Sequence, residues 1–293
     1  MYKSGFVNIV GNPNVGKSTL MNKLVGEKLC IITSKIQTTR HRIMGILSSA
    51  EYQIVFSDTP GILQPHYKMQ EIMRSFSFSA IEDADVLLYI TDTEEGMKFD
   101  ESFIAKVNLS EFPVLLIVNK IDLSNQEKIS EIFDNWKKVI PRCEMMAISA
   151  LSGFNTDSIV RRVVELLPEA QQYFPDDQFT DRSERFIVSE IIREKILLYY
   201  QKEIPYSVEV VIESFKEEEE IARIHAVIFV ERDSQKGIII GDKGKAIKKL
   251  GIESRIDIES FLKKKVYLEL FVKVAKDWRN ETSFLRKFGY DSK

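Results

Sequence analysis

Cysteine is scarce in this chain of 293 residues: Cys30 and Cys143 are isolated in sequence and match no metal-ligand spacing, so both are expected as reduced, buried thiols. Three histidines, His41, His66 and His225, show no metal or triad spacing either and are expected on the surface or in loops. Long apolar runs are missing, since stretches such as Val114-Leu115-Leu116-Ile117-Val118 fall far below the roughly 18–20 residues of a membrane-spanning helix. Met1-Tyr2-Lys3-Ser4-Gly5 leads straight into an apolar strand pattern, without the basic stretch, apolar core and cleavage site of an export signal. A cytoplasmic protein is expected. Charge excess is absent too: 41 Lys+Arg against 44 Asp+Glu give a net −3, which excludes a uniformly basic nucleic-acid binder. No internal repeat is found, and the one low-complexity piece, Glu217-Glu218-Glu219-Glu220, is expected as a solvated hairpin turn.

With 44% hydrophobic and 29% charged residues, the chain reads as a globular protein of one or two domains. Over residues 3–170, short β-branched runs at 6–10, 43–47, 53–57, 86–90, 114–118 and 145–148 predict strands. Helical periodicity falls between or after them, at 17–25, 69–82, 101–109, 126–139 and 155–167. Such alternation predicts an α/β domain with a mostly parallel sheet and helices on both faces, and it puts ligands at the carboxyl ends of the strands. A turn-rich, aperiodic stretch begins at Pro168, which suggests a linker over 171–189 and a second domain over 190–278, followed by a C-terminal helix or tail over 279–293. In the second domain the pattern gives a helix near 190–201, strands near 207–214 and 222–231, a glycine turn, a helix to about 261 and an alternating strand after it.

The first strand runs into Gly11-Asn12-Pro13-Asn14-Val15-Gly16-Lys17-Ser18, with Thr19 following on the first helix. Glycines in that context let the backbone wrap a phosphate, so that successive N–H groups and the helix N-terminus point at it. Lys17 would neutralise the terminal phosphates and the Ser18 hydroxyl would ligate Mg²⁺. Asp58-Thr59-Pro60-Gly61 ends the third strand, where Asp58 can hold Mg²⁺ through water and the Gly61 N–H can reach the γ-phosphate. Asn119-Lys120-Ile121-Asp122 ends the fifth strand, and a carboxylate there accepts from the ring N–H and exocyclic amine of guanine. Adenine would leave that carboxylate unpaired, so the site selects guanine. Ser149-Ala150-Leu151 would support the base through backbone N–H groups. Between the first helix and second strand, Thr38-Thr39-Arg40 lies on a loop that could carry a threonine to Mg²⁺ and the γ-phosphate; Thr39 is chosen over Thr38. Lys17, Thr39, Asp58 and Gly61 are thus the candidate catalytic group. The position after Gly61, where Ras-like GTPases carry a water-orienting glutamine, is Ile62, so slow intrinsic hydrolysis is expected.

These motifs, together with Gln37-Thr38-Thr39-Arg40-His41-Arg42 and the run Thr180-Asp181-Arg182-Ser183-Glu184-Arg185-Phe186, continued by Glu190-Ile191-Ile192-Arg193-Glu194-Lys195, resemble the Era family of bacterial GTPases. The resemblance spans nearly the whole chain; Ile36 departs from it, standing where a proline is common. It implies an α/β P-loop GTPase domain followed by an α+β type II KH domain that binds single-stranded RNA. It further implies small-subunit rRNA near its 3′ end as ligand, a role in assembly of the 30S subunit, GTP or GDP with Mg²⁺ as cofactors, and possible peripheral contact with the inner membrane. Asn14 sits where some bacterial GTPases use an asparagine to help hold K⁺ beside the phosphates. Nothing in the chain suggests an obligate oligomer, so a monomer is expected.

The second domain carries its own signal. Gly241-Asp242-Lys243-Gly244 joins an apolar segment to an amphipathic helix bearing Lys245, Lys248 and Lys249. In KH folds this turn brings backbone N–H groups against the nucleic-acid backbone beside an apolar groove. Asp242 works against phosphate there, while Lys243 and Lys245 flank it. Lys263-Lys264-Lys265 could touch RNA or anionic lipid, or be a solvated turn. The near-neutral total conceals a division: residues 171–231 hold 7 basic and 14 acidic residues, whereas 232–293 hold 16 basic and 9 acidic. RNA is therefore expected at the basic segment that contains the turn, with affinity falling as salt rises. Two other readings stay open, an RNA-binding scaffold with a structural nucleotide and a membrane-associated cell-cycle GTPase.

Overall fold

In the computed structural model, which describes residues 1–94 and 96–290, strand and helix alternate through a first compact unit of residues 1–66 and 70–181. The elements are β1 (Lys3–Gly11), α1 (Lys17–Val25), β2 (Ile43–Ser48), β3 (Tyr52–Asp58), α2 (Lys68–Glu82), β4 (Val86–Asp92), α3 (Glu101–Leu109), β5 (Val114–Asn119), α4 (Gln126–Val139), β6 (Glu144–Ala147) and α5 (Thr156–Leu166). The sheet order is β2-β3-β1-β4-β5-β6; β2 is antiparallel to β3 and the other pairs are parallel. β4 and β5 are buried along their whole length, as expected of strands covered on both faces. Caps fix the helix ends. α1 lies between Gly16 and Gly26, both left-handed, while Asp100 accepts from the Phe103 N–H and Asn125 from the Lys128 N–H to start α3 and α4. β1, β3 and β5 end at Gly11, Asp58 and Asn119, so three of the sequence motifs emerge at one edge of the sheet.

Residues 173–181, read from sequence as linker, are bonded to that sheet. Gln53 of β3 accepts from the Tyr173 and Phe174 N–H groups at 2.8 and 3.0 Å and donates to the Phe174 carbonyl at 2.8 Å. Along edge strand β2, Ile46 N–H donates to Phe179 O at 2.9 Å, Thr180 Oγ1 donates to Met44 O at 2.7 Å, and Met44 N–H donates to Asp181 Oδ1 at 3.0 Å.

The second unit comprises Tyr67–Met69 and the chain from Arg182 onward. Its elements are α6 (Glu184–Tyr199), α7 (Ile204–Ser207), β7 (Glu209–Glu217), β8 (Ile221–Val230), α8 (Asp233–Ile240), α9 (Lys245–Leu262), β9 (Lys265–Val274) and α10 (Thr282–Lys287). β7 pairs antiparallel with β8, and β8 pairs parallel with β9. Ala222, Ile224, Ala226, Ile228 and Val230 alternate along β8 and are buried in one cluster with Ile192 and Ile196 of α6 and Leu250 and Ile258 of α9. One expectation needs correcting. α6 starts at Glu184 rather than 190, because Ser183 caps it by accepting from the Phe186 N–H, so a linker running to 189 is too long. The apolar segment before the glycine turn is helix α8. Within residues 279–290, Leu285, Phe288 and Tyr290 are buried, and Tyr290 donates to Glu209 at 2.9 Å. Among the described residues, no helix is long and apolar enough to cross a membrane.

Candidate functional site

A cleft of about 280 Å³ opens where β1, β3 and β5 end, and it is lined by Pro13, Asn14, Gly16, Lys17, Ser18, Thr19, Thr39, Gly61, Asn119, Lys120, Asp122 and Leu151 among the residues expected there. The loop after β1 can turn so tightly only with glycine at two points. A Cβ on Gly11 would lie 2.1 Å from the Ile90 carbonyl oxygen, and one on Gly16 would lie 2.2 Å from Asn119 Nδ2, both at positive φ. Lys17 Nζ donates to the Gly11 and Asn12 carbonyls at 3.0 and 2.7 Å, which holds its ammonium in the loop that would receive phosphate.

Next to it, three oxygens converge. Ser18 Oγ donates to Asp58 Oδ2 at 2.6 Å and lies 2.8 Å from Thr39 Oγ1, which itself donates to Asp58 Oδ2 at 3.2 Å. Thr38 also lines the cleft, but its hydroxyl donates to Lys35 O at 2.6 Å and lies 2.7 Å from Thr33 Oγ1. Burial pushes the Asp58 carboxyl up, against the charge of Lys17 and hydrogen bonds from Ser18, Thr39 and the Cys30 thiol, and its Oδ1 has no hydrogen-bond partner. One carboxylate and two hydroxyls with an orphaned buried oxygen form a hard-oxygen set that fits Mg²⁺ completed by phosphate and water. The Thr39 loop is anchored where it enters β2: Arg42 donates to Ser57 Oγ and Asp83 Oδ2, each at 2.6 Å, and to Asn8 Oδ1 at 3.0 Å.

Gly61 closes against the phosphate loop, and a Cβ there would meet Pro13 N at 2.6 Å. Ile62 is buried with Val10, Leu87 and Tyr89, so its side chain belongs to the core. At the opposite end, Asn119 Nδ2 donates to Val15 O at 2.8 Å and its Oδ1 accepts from Ala150 N–H at 2.9 Å, which joins the phosphate loop to both base loops. Gly11, Asn12, Val15, Asp58, Thr59, Pro60, Ser149 and Ala150 are not part of the cleft wall. Thr59, for instance, donates to Ile9 O at 2.8 Å and holds β3 to β1. Sequence reasoning missed Ile31, Ile32, Thr33 and Leu123 in the wall, which no motif marks, and left Gln37 out of the site although it opens the Gln37–Arg42 motif.

In the second unit, Gly241, Lys243 and Gly244 all adopt positive φ, making a tight turn between α8 and α9. Lys245 lies 3.4 Å from Asp242, so the acidic side chain in the turn has a cation at hand. Beside the turn runs a groove of about 370 Å³ between α9 and β9, whose lining includes Ile247, Lys248, Gly251, Ile252 and Arg255 on the helix and Leu268 and Leu270 on the strand. A Cβ on Gly251 would make ordinary van der Waals contact with Leu270, at 3.6 Å. Lys248 lines this groove, whereas Lys249 places its ammonium 5.0 Å over the Tyr199 ring. Apolar walls beside a basic turn suit unstacked bases with their phosphates at the turn.

Comparison with known proteins agrees with both halves. Residues 6–120 match the family described as 50S ribosome-binding GTPase, and residues 203–279 match the KH domain. The chain is similar to an Era structure solved with MgGDPNP and nucleotides 1506–1542 of 16S ribosomal RNA, at 38% identity and TM-score 0.95 over 100% of both chains. It is likewise similar to a variant of Aquifex aeolicus Era bound to GDP and AlF4−, at 39% identity and TM-score 0.94, over 99% of this chain and 100% of that one.

Proposed function

Because the chain belongs to the Era family of GTPases, we propose that it is a nucleotide-controlled switch that binds single-stranded small-subunit rRNA near the 3′ end and assists assembly of the 30S subunit. The observation that carries this reading is the presence in one chain of the Ser18–Thr39–Asp58 oxygen cluster and a basic Gly-x-x-Gly turn beside an apolar groove. A scaffold with a structural nucleotide would have no need of a loop threonine, outside the phosphate loop, on its Mg²⁺ set.

The roles follow from position. Lys17 exchanges the Gly11 and Asn12 carbonyls for phosphate oxygens, and the N–H groups of the loop after β1 point at the same phosphates. Ser18, Thr39 and Asp58 would hold Mg²⁺, which when bound neutralises charge on the phosphates. Asp122 accepts from guanine, with Asn119 fixing the loop geometry around it. Gly241, Lys243, Gly244, Lys245 and Lys248 receive the RNA backbone. Since Ile62 is packed in the core, the attacking water must be oriented by backbone groups or by a residue from a partner, so hydrolysis by the isolated protein is slow. Asn14 donates through Nδ2 to Ser34 O at 3.0 Å, and its Oδ1 is the atom that would take K⁺; equal rates in K⁺ and Na⁺ would remove that role.

Crosslinking in cells followed by sequencing of bound RNA tests the proposal. Fragments from the small-subunit 3′ end are expected, and recovery of none refutes it. Coupling is tested separately: RNA affinity should differ between the GTP-analogue and GDP states, and identical affinities would exclude a switch.

A further inference from the structure

The run Asp92-Thr93-Glu94 at the end of β4 holds Lys120 at both ends of the residue. Lys120 Nζ lies 2.6 Å from Asp92 Oδ2 and 2.9 Å from Glu94 Oε2, while Thr93 Oγ1 donates to the Lys120 carbonyl at 3.1 Å. Asp92 is itself fixed, with a buried side chain whose Oδ1 accepts from the Glu94 N–H at 3.0 Å. Sheet register builds the arrangement, because Asp92 on β4 stands opposite Asn119 on β5, one residue before Lys120. Lys120 has φ 61°, a left-handed conformation that a non-glycine residue keeps only where its surroundings impose it. Burial opposes the charge on Lys120, but hydrogen bonds and charge from Asp92 and Glu94 overcome it and hold the ammonium above the usual lysine range.

A lysine tied at its tip and at its carbonyl has a stem that cannot swing. Lys120 lines the cleft together with Gly16 and Asp122, so the rotamer entropy a free lysine would lose on ligand arrival is already lost. We propose that Asp92, Glu94 and Thr93 are positioning residues that preorganise Lys120 and thereby set how long a guanine nucleotide stays bound. The inference rests on the nucleotide reading above and assigns Asp92 the largest share, since its carboxylate is buried while the Glu94 side chain is 58% exposed.

The test uses the full-length protein and a fluorescent GDP, with dissociation rate and affinity measured for Asp92→Asn, Glu94→Gln, Lys120→Ala and the Asp92→Asn/Lys120→Ala pair. Loss of a buried charge-assisted bond should speed GDP release about tenfold in Asp92→Asn, and loss of the exposed one about twofold in Glu94→Gln. The effect should fall on affinity and KM, with turnover of saturating GTP changing less than about twofold. In the Lys120→Ala background, Asp92→Asn should add nothing, because the residue acts through Lys120. A release rate unchanged by Asp92→Asn, or an equal effect in both backgrounds as misfolding would give, overturns the proposal. Should the parent protein itself fail to retain GDP, the nucleotide reading falls and this inference with it.

Discussion

Replacing Gly16 by alanine tests whether one contact joins the two ends of the nucleotide cleft. Gly16 sits at φ 97°, and the added Cβ would lie 2.2 Å from Asn119 Nδ2, the amide bonded to both the Val15 carbonyl and the Ala150 N–H. Gly26 supplies the control, with φ 82° and nothing within 4 Å of an added Cβ. Left-handed backbone costs an L-residue about 1–2 kcal/mol, which both variants incur. Gly16→Ala must also push Asn119 aside, and its two hydrogen bonds are worth about 1 kcal/mol each. The excess of about 2 kcal/mol falls on the cleft itself and corresponds to roughly 30-fold weaker GDP binding. Gly26→Ala should leave GDP affinity unchanged and lower the melting temperature by a few degrees, at about 2–4 °C per kcal/mol. Calorimetric GDP titration and thermal unfolding on the same preparations read both quantities. The reasoning is refuted if Gly16→Ala binds GDP like the parent, or if Gly26→Ala loses as much affinity.

Asp122→Asn should weaken guanine nucleotides and favour xanthine, whose carbonyl replaces the exocyclic amine; competition binding with an unchanged base preference would exclude the assignment. Thr39→Ala should weaken Mg²⁺-dependent binding of a GTP analogue about tenfold or more while sparing GDP, and Thr38→Ala should not. Burial raises the Asp58 carboxyl, so the stability this group contributes is present below the ordinary carboxylate range and is lost as pH rises through the raised value. Asp58→Asn should therefore melt higher than the parent at pH 7 without nucleotide, and should lose the Mg²⁺-dependent part of GTP binding. A lower melting temperature would contradict the burial argument. In the second unit, Lys248→Ala should weaken RNA binding and flatten its salt dependence by about one unit of log slope, with Lys249→Ala much milder, as filter binding at several salt concentrations would show.

Legibility in the sequence followed the strength of local signals. α1, α3 and α4 lie where periodicity put them because Gly16, Gly26, Asp100 and Asn125 mark their ends with their own chemistry. The phosphate, Mg²⁺ and base motifs were readable because one ligand constrains glycine, lysine, hydroxyl and carboxylate at fixed distances from strand ends. α8 was missed because Ile238, Ile239 and Ile240 stand as an apolar segment without helical periodicity of their own, whereas the helix is set by Gln235, whose side chain accepts from the Glu231 and Arg232 N–H groups. The start of α6 was hidden in a polar stretch that looks like turn, although Ser183 caps it and Arg182 lies over the Phe186 ring. Ile31 to Thr33, and the grip of Asp92 and Glu94 on Lys120, depend on which strands and loops are neighbours in space. Spacing along one chain carries no such information; only the nearness of residues 31–33 to Thr38 and Thr39 hinted at it.

The bonding of residues 173–181 to β2 and β3 bears on how the protein can be cut or recombined. An uncovered edge strand exposes unpaired N–H and C=O groups to any other strand in solution. A fragment stopped at residue 170, where composition suggests a boundary, would bare Met44 and Ile46 on that edge and strip Gln53 of its bonds to Tyr173 and Phe174. Grafting the nucleotide-binding half onto another partner should therefore retain the chain through Asp181, since those residues are a seam of that half and not slack between two modules.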